Sequence, residues 1–312
     1  MERIPVWIDT DCGVDDALAL LCAFRLPELE IVGLSATAGN VTLENTYRNT
    51  RDIAALAGRK DIPVYKGAEK PWIAAPRTSE YVHGTDGLGG AKIAHSDAPE
   101  TEGHAWDALY SKAKELNGEL RIVAVGPLTD IANTIIKYPD FPDYVKELCI
   151  MGGVLAGPGN TNMTAEFNIM GDPHAAACVF KSGIRIVMFG LDVTLQAYLT
   201  KEEVDVISNT GNDVCRLIGE ATAKTLALYK TLGLGEIMCM HDSCPVLYLA
   251  HPEFFSGKEC CVRVETGGEH GFGKTVSDLY SDAKFGDKNT LAMLKVDREA
   301  VVKLVTDIYW SY

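Results

Sequence analysis

Apolar runs with the spacing of strands alternate with runs at helical spacing along most of the chain. "VWI" at 6–8 reads as a first strand and "ALALLCAF" behind it as a helix. "LEIVGLSAT" reads as a second strand. A helix over 42–57 follows, with Gly58 where a left-handed cap is favoured. "IPVYKG" and "LRIVAVG" are the third and fourth strands, and "TDIANTIIKYP" is a helix stopped by Pro139. "ELCIMGG" and "IRIVMFG" are the fifth and sixth. Between them, "DPHAAACVFKSG" carries Asp172 as N-cap, Pro173 in the first turn and Gly183 at its end. "TKEE" from Thr200 to Glu203 has the form of a capping box, and helices dominate from there to Tyr248. "CCVRVE" and "NTLAMLKVD" are late strands before a closing helix, "REAVVKLVTDIYW". The Gly- and Pro-rich stretch 71–102 reads as loop.

This alternation predicts βαβ units on a mostly parallel α/β sheet. With no repeat, low-complexity tract or linker, the 312 residues are expected to form a single domain spanning 1–312. In such sheets the ligand sits outside the carboxyl ends of the strands. Polar and glycine residues collect there: Asp9 to Asp11 after the first strand, Gly39 and Asn40 after the second, Gly126 and Pro127 after the fourth, Gly152 and Gly153 after the fifth, Asp192 after the sixth.

The first of these groups carries the most chemistry. "DTDCGVDDALAL" sets Asp9, Asp11, Asp15 and Asp16 where a strand meets a helix. Asp9 and Asp11 alternate on extended chain and can point one way, while Asp15 and Asp16 fall in a first helical turn, which favours negative charge. N-capping alone accounts for Asp15 or Asp16 but not for all four. A hard divalent cation, Ca²⁺ or Mg²⁺, accounts for all of them, and the lack of a paired His/Cys ligand motif argues against Zn²⁺. Three further groups stand out. "AEFN" holds Glu166 and Asn168 with Phe167 between them, which on extended chain would put both polar tips on one side and the ring on the other. Asn160 precedes them in a Gly-rich loop, where turn chemistry is an equal explanation. "MHDSCP" places His241 just outside a helix that Asp242 could cap, and "HGTDGLGG" starts a flexible-looking loop at His83.

Charge and cysteine content narrow the classes. A net charge of −14 argues against nucleic acid as a partner. No apolar run is long enough to span a membrane, and the N-terminus runs into a strand with no apolar leader. Nine irregularly spaced cysteines read as reduced thiols, so the expected location is cytoplasmic.

Together, "DTDCGVDDALAL", "AGN" ending at Asn40, "HGTDGLGG", "VGPLTDIA", "IMGGV", "AEFNIMGDPHAA" and "MHDSCP" resemble the inosine-uridine-preferring nucleoside hydrolase family, in the family's order and over nearly the whole chain. The resemblance implies a Rossmann-like open sheet with helices on both faces, a homotetramer or homodimer, and hydrolysis of the N-glycosidic bond of ribonucleosides with one tightly bound Ca²⁺. It implies metal ligands at Asp11, Asp16 and Asp242 and the backbone carbonyl of Val125. It puts ribose contacts at Asp15, Asn40, Asn160, Glu166 and Asn168, and it puts His241 at the leaving base with His83 and Tyr229 nearby. Cys12 stands where many members have Pro, a thiol beside metal acids that could be oxidation-sensitive.

The reaction passes through an oxocarbenium-like transition state. Asp11 is then the expected base for the attacking water, and His241, taken to titrate near neutrality, the expected acid. The main rival, a haloacid-dehalogenase-like Mg²⁺ phosphatase, also has D-x-D after a first strand but offers no role for "AEFN". A non-catalytic nucleoside- or sugar-binding protein is the alternative of a different class.

Overall fold

The computed structural model describes residues 3–280 and 285–312. In chain order the first half runs β1 (Ile4–Thr10), α1 (Val14–Arg25), β2 (Leu29–Ala36), α2 (Leu43–Leu56), β3 (Val64–Lys66), α3 (Glu80–His83), α4 (Ala105–Leu116), β4 (Leu120–Ala124), α5 (Thr129–Lys137) and β5 (Val145–Met151). Then come α6 (Phe167–Gly171), α7 (Pro173–Val179), β6 (Ile186–Phe189), α8 (Leu191–Thr194), β7 (Tyr198–Thr200), α9 (Lys201–Ser208), α10 (Asp213–Thr231), β8 (Ile237–Cys239) and α11 (Ser243–Ala250). The chain closes with β9 (Phe255–Cys260), β10 (Val262–Val264), β11 (Thr275–Ser277), β12 (Thr290–Val296) and α12 (Arg298–Trp310).

Eight strands form the main sheet in the order β3-β2-β1-β4-β5-β6-β12-β9, parallel except for β9, which runs antiparallel to β12. Side chains alternate across it. Val6 and Ile8 join one apolar cluster with Val123, Cys149 and Val187, and helices α1, α10 and α11 cover that face. Trp7 joins the other with Ile122, Ile150 and Met188, under α4, α5 and α7. Fully burying such a side chain is worth about 1.5–3 kcal/mol, so the sheet is held rigidly from both sides.

Most of the expected caps are present. Thr200 accepts from Glu203 N–H while the Glu203 carboxylate accepts from Thr200 N–H, and Asp172 accepts from Ala175 N–H. Two readings need correction. "CCVRVE" is not one strand: the sheet strand is the earlier "FSGKEC", and β10 breaks away after Cys261 to pair with β11. Helix α4 was not expected. Its buried positions are only Ala105, Leu109 and Ala113, two of them alanines, which give a faint apolar stripe.

The order of the strands positions the site. From β1 the chain steps outward through β2 and β3, then returns to β4 beside β1 and steps the other way through β5 and β6. Between β1 and β4 the winding reverses, which opens a crevice at the carboxyl ends of those two strands.

Candidate active site

Asp11 lies just past β1, and Val125 just past β4, so both flank that crevice. Asp9 does not join them. It is the penultimate residue of β1, and its carboxylate takes the Ser35 hydroxyl and faces Asp130 of α5. The expectation that Asp9 and Asp11 point to one cation fails because the chain turns at the end of the strand.

Four carboxylates do converge: Asp11, Asp15, Asp16 and Asp242. Ligand oxygens of Asp15, Asp16 and Asp242 lie within 4.8 Å of one another. Asp11 adjoins Asp16, the neighbouring charge that acts on it most strongly. Burial, then mutual repulsion, holds Asp11 and Asp242 well above the usual carboxylate range and Asp15 at about 7. Burial also raises Asp16, although it accepts from Thr10 Oγ1 at 2.5 Å and Gly13 N–H at 2.8 Å. Asp11 Oδ1 and Asp15 Oδ1 are buried without a hydrogen-bond partner. Asp242 precedes α11 but makes no capping bond to it, so capping does not explain this acid. Like charges packed this tightly ionise together only around a cation. An all-oxygen donor set fits a hard divalent ion such as Ca²⁺ or Mg²⁺.

The neighbouring polar groups fasten this cluster. Asn40 N–H donates to Asp11 Oδ2 at 2.8 Å, its Nδ2 donates to Asp16 Oδ2 at 3.0 Å, and its Oδ1 accepts from Ser79 at 2.7 Å. Gly39 and Gly13 are needed for space. A Cβ on Gly39 would stand 2.0 Å from Asp11 Oδ2, and one on Gly13 would stand 2.6 Å from His83 Nδ1. His83 Nδ1 accepts from Val14 N–H at 3.1 Å and lies 3.8 Å from Asp15. Burial, helped by the nearby His241, lowers its pKa to about 3, so it is uncharged.

A cavity of about 340 Å³ opens over the acids. That volume lies at the lower end of the usual range for small-molecule pockets. Asp15, Asn40, His83, Val125, Asn160, Glu166, Asn168, Tyr229, His241 and Asp242 all line it, so the structure brings together nearly every residue singled out from the sequence. The local geometry of "AEFN" differs from the expected extended chain. Glu166 caps the short helix α6, accepting from Asn168 and Ile169 N–H, and also accepts from Gly153 N–H at 2.9 Å. Phe167 lines the cavity with its neighbours rather than turning away. Asn168 Nδ2 donates to the carbonyls of Val125 at 2.8 Å and Met151 at 3.1 Å, which leaves its Oδ1 for the cavity. Asn160 Oδ1 accepts from Phe167 N–H at 2.9 Å. Burial raises Glu166 to about 7 against these bonds.

Leu191, Leu195, Leu228 and Met238 supply apolar wall beside Tyr229 and His241. His241 Nδ1 lies 2.8 Å from Thr194 Oγ1. Burial lowers its pKa to about 4, which corrects the expectation of titration near neutrality: this ring is neutral at pH 7. Cys12 is fully buried, and burial with the neighbouring acids pushes its thiol well up. Cys239 is the thiol that lines the cavity, and burial raises it to about 12.

Several supporting residues were given no role by sequence reading. Asp192 accepts from Leu155 and Ala156 N–H, both at 2.8 Å, and so anchors the loop that carries Asn160. Ser79 fixes Asn40, and Asn49 Nδ2 donates to the carbonyls of Cys12 at 3.2 Å and Asp86 at 2.8 Å, tying the acid loop to the His83 loop. Only Asp192 had a signal, its place at the carboxyl edge of a strand.

Comparison with known proteins agrees with this geometry. The model of the family "Inosine-uridine preferring nucleoside hydrolase" matches residues 6–303. The non-specific ribonucleoside hydrolase RihC of Escherichia coli is 38% identical over 277 residues, covering 89% of each chain. Among solved structures, a plant nucleoside hydrolase superposes with a TM-score of 0.94 at 29% identity over 100% of both chains. A purine-preferring ribonucleoside hydrolase from Gardnerella vaginalis gives 0.92 at 30% identity over 98% of both. The chain belongs to the inosine-uridine preferring nucleoside hydrolase family and is an N-glycosyl hydrolase acting on ribonucleosides.

Proposed function

We propose that the enzyme is a Ca²⁺-dependent nucleoside hydrolase that releases free base and ribose from purine or pyrimidine ribonucleosides. The observation that carries the reading is the buried group of Asp15, Asp16 and Asp242, with Asp11 beside it, at the edge of a nucleoside-sized cavity. Asp11, Asp16, Asp242 and the Val125 carbonyl would hold the ion, with Asp15 in the same cluster. When bound, such a cation supplies orientation of vicinal hydroxyls and a lowered pKa for water.

The chain's own residues do the rest. Asp15, Asn40, Asn160, Glu166 and Asn168 surround the sugar and hold its hydroxyls. Asp11 accepts the proton of the attacking water. The carboxylates favour the positive charge that builds on the ribose, through electrostatics set in advance of the reaction. His241, neutral by burial, assists the leaving base with a ring N–H, and His83 and Tyr229 complete the wall on that side. The nine cysteines, all free, support a reducing compartment such as the cytoplasm. No described helix is long and apolar enough to cross a membrane. The expected assembly is a homodimer or homotetramer of one-domain chains.

The test is an assay of inosine and uridine for free base, with and without chelator, beside nitrophenyl phosphate for phosphate release. Base release abolished by chelator and restored by Ca²⁺ is the expected result. Full base release in chelator contradicts the metal assignment, and phosphate release without base release contradicts the reaction.

A further inference from the structure

The residue that meets His241 Nδ1 lies outside every motif that marked the site. Thr194 ends α8, is fully buried, and places its hydroxyl 2.8 Å from His241 Nδ1. The two are 47 positions apart in sequence, so the contact is a product of the fold.

The direction of that hydrogen bond follows from the surroundings. A threonine hydroxyl in a helix commonly donates to the carbonyl four residues back. Thr50, Thr134, Thr222 and Thr231 all do so in this protein, at 2.8, 2.8, 2.7 and 2.9 Å. Thr194 does not. The corresponding carbonyl, Gly190 O, already accepts from Val193 N–H at 3.0 Å and Thr194 N–H at 3.1 Å. Among the described residues, His241 Nδ1 is the one partner of this hydroxyl. Were the ring to donate instead, a buried hydroxyl hydrogen would lose its acceptor, at about 1–3 kcal/mol. The hydroxyl therefore donates to Nδ1, and the ring hydrogen stands on Nε2. His83 is arranged the same way, with Val14 N–H donating to its Nδ1.

We infer that Thr194 is the positioning residue that holds His241 in the tautomer presenting Nε2–H to the departing base. The inference rests on the reading of His241 as the group that assists that base. It makes the single turn of α8 part of the leaving-group machinery, although Thr194 does not line the cavity.

The experiment compares Thr194→Val, Thr194→Ser, His241→Ala and the His241→Ala/Thr194→Val double variant of the full Ca²⁺-loaded enzyme. The substrates are inosine and nitrophenyl riboside, whose leaving group needs no assistance. A hydrogen bond from the neutral ring supplies part of the 10²–10⁴-fold, roughly, that full general acid catalysis gives, and a misset tautomer forfeits it. Thr194→Val is expected to lower kcat on inosine by roughly 10–100-fold with KM within about twofold and with little change on nitrophenyl riboside. Thr194→Ser, which keeps the hydroxyl, restores most of the loss. In the His241→Ala background Thr194→Val adds nothing further, because the two act as one unit. Equal loss on both substrates, an additive loss in the double variant, or full inosine activity in Thr194→Val overturns the inference while a selective loss in His241→Ala leaves the parent reading intact. If His241→Ala itself affects both substrates equally, or neither, the parent reading falls and the inference with it.

Discussion

Asp9 and Asp11 stand two residues apart at the end of one strand and have different surroundings. Sequence alone could not separate them, because alternation holds only while the chain stays extended, and β1 ends at Thr10. Asp9 remains inside the sheet, against Asp130, whose Oδ1 accepts from Ala68 N–H at 2.7 Å. Burial raises Asp130 to about 7 and raises Asp9 well above the usual range, so the pair retains a proton that the unfolded chain releases near pH 4. The sign follows. A carboxyl with a raised folded-state pKa destabilises the fold progressively as pH rises from about 4 to about 7, and fully above that. Asp130→Asn keeps the bond to Ala68 and donates to Asp9 without titrating. Its stability is expected to match the wild type near pH 4 and to exceed it above pH 7 by about 1–3 kcal/mol, seen as a melting temperature higher by several degrees. Parallel melting curves for the two proteins from pH 4 to pH 8 would rule out the shared proton.

At the scale of elements, punctuation was easier to read than polarity. Asp172, Pro173 and the Thr200–Glu203 box were legible because a cap is a local event, decided by three or four consecutive residues. Edge strand β9 was not, because "FSGKEC" leaves its four middle residues exposed and so lacks an apolar alternation. The "AEFN" turn was misread because Glu166 caps α6 through its own carboxylate, a choice that depends on Gly153 arriving from β5. The loop between β5 and α6 is also held from α8, where Asp192 takes two backbone N–H groups. Hydrogen bonds to a charged group are each worth about 1.5–3 kcal/mol. Asp192→Ala should therefore free the segment carrying Asn160 and raise KM for inosine by about tenfold or more, with bound metal unchanged. Loss of metal together with kcat, at constant KM, would show that Asp192 supports the acid cluster instead of the loop.

For the whole molecule, strand alternation made the parallel sheet legible, whereas the strand order was not written in any local pattern. That order puts the carboxyl ends of β1 and β4 side by side, and the site follows from it. Residues 11–16 enter the crevice from β1, Val125 from β4, and Asp242 from the loop after β8, more than 200 positions further on. A cation held by these acids would tie their segments together against the mutual repulsion of the carboxylates. Binding to the folded state alone stabilises it by about 4 kcal/mol at a thousandfold excess over Kd. For a chain of this size each kcal/mol moves the melting temperature by roughly 2–4 °C. Chelation at pH 8 is therefore expected to lower the melting temperature by several degrees and to abolish activity, and Ca²⁺ to restore both. Asp16→Asn should already melt near the chelated value and should respond to neither chelator nor Ca²⁺. An Asp16→Asn enzyme that keeps stoichiometric metal and the wild-type melting response would place the ion elsewhere. Unchanged melting of the wild type in chelator would mean that the acids are reconciled by shared protons, as Asp9 and Asp130 are, without an ion.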